Sequence, residues 1–215
     1  MEGRGIEVLI LHTLGTEAYT PSDGLVYAAS EEDRTLDPER SVVRVGSELQ
    51  AVLEARGIGV VHSTALHDYP AYSGSYDRAL DDIEYWVQQY PDIRVVIDLH
   101  RDSIVTAAGD KYKTAAVIEG ESTAQLMFVA GTDGGGLRHD DWQTNLSLHL
   151  QLHDLLNTRY PGLMRPVSIR NARFNQHMTR GSMLLEVGTS GNSLTEALRA
   201  VRFFGEALAD LLLDT

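Results

Sequence analysis

Three short apolar runs constrain this chain most: Val8-Leu9-Ile10-Leu11, Val95-Val96-Ile97 and Met183-Leu184-Leu185. None of them alternates apolar with polar residues. A strand without alternation is covered on both faces, as strands are in a mostly parallel sheet. The full set of expected strands is 7–11, 58–62, 95–99, 115–118, 125–131, 167–170 and 183–187.

Helical patterns fall between them. The first opens near Asp37-Pro38-Glu39, with Asp as the cap and Pro in the first turn, and ends at Gly57. The second covers 75–89 and stops before Pro91. The third covers 140–159 and stops at Pro161-Gly162. The last opens on Ser193-Leu194-Thr195-Glu196, a capping box, and runs to the end. Alternation of strand and helix predicts an α/β fold: a mostly parallel central sheet flanked by helices, a three-layer sandwich. We expect residues 1–215 to form a single domain. Residues 18–37 and 101–140 hold the longest irregular stretches. Gly134-Gly135-Gly136 lacks the context of a phosphate loop and is expected to mark a flexible loop.

Composition narrows the function classes. The net charge is −13 and no Lys/Arg cluster is present, which argues against nucleic acid and anionic membrane surfaces as partners. No cysteine is present, so disulfides, thiolate metal sites and cysteine nucleophiles are excluded. Absence of cysteine fits an extracytoplasmic setting. No apolar run reaches the ~18 residues of a membrane span, and no signal peptide is visible.

The polar residues that close the strands carry the chemistry. The first run ends in His12, the second continues through Asp98 and Leu99 to His100, and the third ends in Glu186. Parallel strands bring all three to one edge of the sheet, where open α/β sheets bind ligands. Glu17 follows in the loop after the first strand. Two His and two Glu form the inventory of a hydrolytic zinc site, with three protein ligands, an open place for water, and one carboxylate left to move protons. A structural reading competes with each. A histidine at a strand end is often just capped. Glu186 could pair with Arg173 or Arg180. Asp98 could orient a histidine or pair with Arg101. His149 and His153 are four apart on the third helix, but they continue an apolar stripe, so helix packing is expected. His67, in HDYPAYSGSY, and His177, in RFNQHM, sit where substrate or loop contacts are both open.

The segments LHTLGTEAY, HDYPAYSGSY, VVIDLHRDS, RFNQ and LLEVGTSGN, in this order, resemble the stage II sporulation protein P family over about 8–205. The resemblance implies a zinc-dependent peptidoglycan hydrolase with a fold like N-acetylmuramoyl-L-alanine amidases. It implies cleavage of the amide between muramic acid and L-alanine, with peptide crosslinks as an additional target, in cell-wall remodelling during engulfment. It also implies an extracytoplasmic, normally membrane-anchored protein, with the anchor outside this chain, partnered by a stage II sporulation protein D-type lytic transglycosylase. By the same resemblance, His12, Glu17 and His100 hold Zn²⁺ and Glu186 is the catalytic base, then acid. Arg101, Asn175, Gln176 and His67 are assigned to substrate. Glu48 is a rival ligand to Glu17. One departure stands out: the family often has a second histidine two positions after the first, and here that residue is Leu14. A zinc endopeptidase with the same four residues, and a non-catalytic wall-binding scaffold, are the alternatives.

Overall fold

The computed structural model describes residues 5–20 and 33–214. Eight strands and four α-helices follow in order: β1 (Ile6–Leu11), α1 (Val42–Ala55), β2 (Gly59–His62), α2 (Ser75–Gln89), β3 (Val95–Asp102), β4 (Ala115–Ile118), β5 (Glu121–Ala124), β6 (Leu126–Gly131), α3 (Trp142–Arg159), β7 (Ser168–Arg170), β8 (Gly181–Thr189) and α4 (Leu194–Leu213). The central sheet has six strands in the order β2-β1-β3-β8-β6-β7. Strands β2, β1, β3 and β8 run parallel. Strand β6 is antiparallel to β8, and β7 is parallel to β6. The mostly parallel α/β architecture is therefore as expected. Strands β4 and β5 form a separate antiparallel hairpin.

The two faces of the sheet are covered unequally. Val8, Ile10, Val95, Ile97, Leu99, Phe128, Met183 and Leu185 point to one face, where they meet α1, α3 and α4 in one large core. Leu9, Leu11 and Val96 point to the other face and pack on α2 through Ala79 and Ile83. On that second face, Met127, Val129 and Leu184 form a small separate cluster, with Phe174 from the loop after β7 packed against it. Side chains alternate along each strand, so this division fixes where every strand-end residue points.

Local chemistry sets the helix limits. Asp37 caps only a 3₁₀ turn at Pro38–Arg40, and Ser41 takes over as cap of α1 by accepting from the Val43 N–H at 3.2 Å. Helix α1 therefore starts later than the Asp-Pro-Glu signal predicted. Helix α3 starts at Trp142, two residues inside the expected range. Helix α4 has the expected capping box: Ser193 Oγ accepts from Glu196 N–H at 3.2 Å, and Glu196 Oε2 accepts from Ser193 N–H at 3.0 Å. Of the irregular stretch 18–37, residues 21–32 lie outside the described residues. Within 101–140, the polar strand β5 is the element without a sequence signal, because Glu121-Ser122-Thr123-Ala124 carries no apolar run.

Candidate functional site

A cavity of about 860 Å³ opens on the thinly covered face, at the carboxyl ends of β3 and β8. Its size is that of a ligand site for a small polymer segment or drug-sized molecule. His100 and Glu186 face it from adjacent strands, where they are Cα partners in the β3–β8 ladder. Glu17 reaches it from the loop after β1. Arg165 and Arg170 line the opposite wall, together with Asn171.

His100 is almost fully buried. Its Nδ1 lies 3.4 Å from Glu17 Oε2, and its Nε2 lies 2.9 Å from Asp98 Oδ1. The Asp98 contact falls off the N–H direction, so Nε2 has no hydrogen-bond acceptor. Burial alone would lower the His100 pKa, but the charges of Asp98 and Glu17 more than offset this and hold it well above the usual value. Asp98 is itself fixed by Thr13, through the backbone N–H at 2.8 Å and the hydroxyl at 2.7 Å. Asp98 therefore orients a histidine and does not pair with Arg101. Glu17 Oε2 also accepts from the Arg101 backbone N–H at 3.1 Å.

Glu186 has no salt bridge among the described residues, and its buried Oε2 has no hydrogen-bond partner there. Arg180, the partner that a structural reading offered, pairs with Asp141 instead. Burial pushes the Glu186 carboxyl up to about 8; His100 pulls it down, while Glu17 and Asp102 push it further up. A desolvated carboxyl in a cleft, with a specific charged neighbour, is the signature of a group that moves protons.

His12 lies at the same sheet edge but on the other face. It is fully buried, and both ring nitrogens are engaged. Nδ1 donates to the Leu99 carbonyl at 2.9 Å, which leaves Nε2 to accept from His62 Nε2 at 2.8 Å. The two rings meet edge to face, 5.1 Å apart. Burial and the neighbouring His62 lower the His12 pKa to about 3, so it is neutral. Gly46 of α1 makes room for the pair: a Cβ there would stand 2.6 Å from His62 Nε2 and 2.7 Å from His12 Nε2. Leu14, not His12, lines the cavity beside Glu17 and His100.

The remaining assigned residues are mostly used internally. Arg101 lines the cavity, but its guanidinium donates to the carbonyls of Ala18 and Asp33 and so pins the chain after Glu17. Gln176 accepts from Gly131 N–H at 2.9 Å and donates to the Val129 carbonyl at 2.7 Å, which ties the loop after β7 to β6. Asn175 donates to the Tyr76 carbonyl at 2.8 Å and borders a smaller neighbouring cavity of about 320 Å³. His67 sits 3.2 Å from Asp82, away from both cavities. Glu48 pairs with Arg44 on α1 and Arg202 on α4 and does not approach the site. His149 packs in the core, stacked on Phe128, and His153 pairs with Asp154. Arg165 and Arg170 were missed. Their sequence signal is only two arginines around a short strand, and placing them needs the fold.

Zinc, which the resemblance implies, can be tested against these atoms. His100 turns Nδ1 toward the Glu17 carboxylate while its Nε2 rests against Asp98, and Glu186 Oε2 is buried without a hydrogen-bond partner. Imidazole and carboxylate are zinc-type donors. Glu17 and His100 thus fit the metal, and His12 does not join them.

The comparisons agree with this fold. The Stage II sporulation protein P (SpoIIP) family profile matches residues 1–209. The chain is 29% identical over 218 residues to "Stage II sporulation protein P" of Bacillus subtilis (strain 168), covering 96% of this chain and 51% of that protein. It thus spans about half the length of that curated relative. Among solved structures, the catalytic domain of CwlV, an N-acetylmuramoyl-L-alanine amidase from Bacillus (Paenibacillus) polymyxa var. colistinus, superposes with a TM-score of 0.53 at 11% identity, covering 98% of this chain and 100% of that one. The CwlD amidase from Clostridioides difficile, solved with the GerS lipoprotein, gives 0.51 at 12% identity, covering 97% and 100%. These likenesses establish a shared fold, and the match along nearly the whole sequence establishes the family: this chain belongs to the stage II sporulation protein P family.

Proposed function

We propose that this chain is a peptidoglycan hydrolase domain of sporulation that cleaves the amide between N-acetylmuramic acid and L-alanine. The observation that carries the reading is Glu186, a carboxyl with an unpartnered buried oxygen and a pKa near 8, placed opposite His100 at the mouth of a cavity. Family membership and the amidase-like fold support the substrate class.

The residues divide the work by position. Glu17 and His100 would hold Zn²⁺, which supplies a polarised carbonyl and a water acidified to near neutrality. Asp98 keeps the His100 ring in place. Glu186 accepts the proton of the attacking water and returns it to the departing amide nitrogen of L-alanine. In the metal-free site it is protonated at neutral pH, and positive charge at Glu17 and His100 favours its ionised form. Arg170 is exposed, lines the cavity and has no ion-pair partner among the described residues, so it is free to meet a stem-peptide carboxylate. On the same grounds of family, the protein works on the wall side of the membrane beside a stage II sporulation protein D-type lytic transglycosylase.

Digestion of purified sacculi in excess zinc tests the bond. An amidase releases whole stem peptides with free L-alanine amino groups and leaves bare glycan. Crosslink opening with stems still attached would point to an endopeptidase instead. A second reading, wall binding without turnover, is favoured by one observation: Leu14 stands in the cavity wall while His12 is turned away.

A further inference from the structure

The cavity has an apolar residue where its donors converge. Leu14 and Glu17 are the two ends of one reverse turn, closed by a hydrogen bond from Glu17 N–H to the Leu14 carbonyl at 3.0 Å. The ends of such a turn lie within about 7 Å of each other. Both side chains line the cavity, as does His100, to which Glu17 is in contact. Leu14 is therefore the neighbour of a carboxylate and an imidazole, yet it can offer no lone pair.

His12 cannot make up the difference. Its Nδ1 and Nε2 are both occupied, it is sealed under Gly46, and it belongs to the α1 face of the sheet. His100 and Glu186 belong to the α2 face. Bringing His12 across would require a one-residue slip of β1, which would turn Leu9 and Leu11 out of their core.

We infer that Leu14 occupies the place of a third protein donor, so that this site offers a divalent cation only Glu17 and His100 and holds zinc weakly and exchangeably. A hydrolytic zinc site has three protein ligands; with two, more of the coordination must come from water. The inference rests on the reading of this cavity as a metal-assisted hydrolase site. Nothing else in the site is lost: Asp98 still orients His100, and Glu186 remains available for proton transfer. The chain would then work only where zinc is abundant.

The test is zinc binding itself. Wild type, Leu14→His and Leu14→His/His100→Ala are dialysed against a mild zinc chelator and analysed for metal. Wild type should retain well under one zinc per chain. Leu14→His should retain one, with affinity raised at least about 100-fold, the upper end of what even an outer partner of a ligand is worth. The double variant should fall back to the wild-type level. Leu14→Asp, which adds a shorter donor, serves the same purpose should the histidine variant fold poorly. Wild type that keeps one zinc through the chelator, or folded Leu14 variants that bind no better, would overturn the inference. The sacculus assay separates this from the hydrolase reading. If Leu14→His binds zinc but releases no stem peptide, the donor place stands and the hydrolase reading falls. If wild type holds zinc tightly and cleaves, the reverse is true.

Discussion

His100 and Glu186 are direct neighbours across the β3–β8 ladder, and both point to the face of the sheet that the helices leave thinly covered. One strand brings an imidazole braced by Asp98, the other a carboxyl that burial keeps protonated.

Glu186 should make the metal-free protein less stable as pH rises. Its folded pKa, about 8, lies above the ordinary carboxyl value of 4.5, so the folded state binds a proton that the unfolded state has lost between those two values. Stability therefore falls from about pH 4.5 to about pH 8 and then levels. Glu186→Gln, which cannot ionise, should melt like wild type near pH 5 and several degrees above it near pH 8. Thermal melts with chelator present check this. A difference that does not grow with pH would show that Glu186 is already ionised.

His149 gives the opposite slope, far from the cavity. Burial against Phe128 lowers its pKa to about 4, below the ordinary 6.5. The unfolded state binds the extra proton between these values, so stability falls as pH drops from about 6.5 to about 4. His149→Phe should narrow the gap in melting temperature between pH 7 and pH 5. The same comparison in denaturant gives the size of the effect, expected to be about 1–3 kcal/mol.

Arg170 should act on substrate and not on the fold. Arg170→Ala is expected to raise KM on soluble muropeptides about tenfold, with kcat within about twofold, since one exposed charge-assisted contact is worth roughly 1–2 kcal/mol. An unchanged KM would remove it from the binding wall.

Gln176 should behave the other way. Gln176→Ala leaves the Gly131 N–H and the Val129 carbonyl without their side-chain partners. Unsatisfied buried groups cost about 1–3 kcal/mol each. We expect lower stability in urea, with KM of the folded fraction unchanged.

The sequence marks the edge of the sheet better than its faces. Apolar runs and caps locate α2 and the capping box of α4 correctly. The runs ending in His12, His100 and Glu186 do reach one edge, because β1, β3 and β8 are parallel. Which face each residue takes depends on register, and register is set by pairings between distant segments. Leu11 pairs with Asp98, so His12 aligns one residue before His100 and faces away from it. Arg101 looked available for substrate because charge is legible, whereas its backbone carbonyl partners are not. Strand β5 had no signal, since its support is the hairpin and the contact of Ser122 with Glu196.

The most direct test follows stem-peptide release from purified sacculi in excess zinc, by wild type and Glu186→Gln, with sacculus binding measured in the same samples. The account predicts that both bind equally, that wild type releases peptides with free L-alanine amino groups, and that Glu186→Gln is slower by at least about 100-fold, as loss of a general base requires. Equal release by the two proteins, or none by wild type, would contradict it.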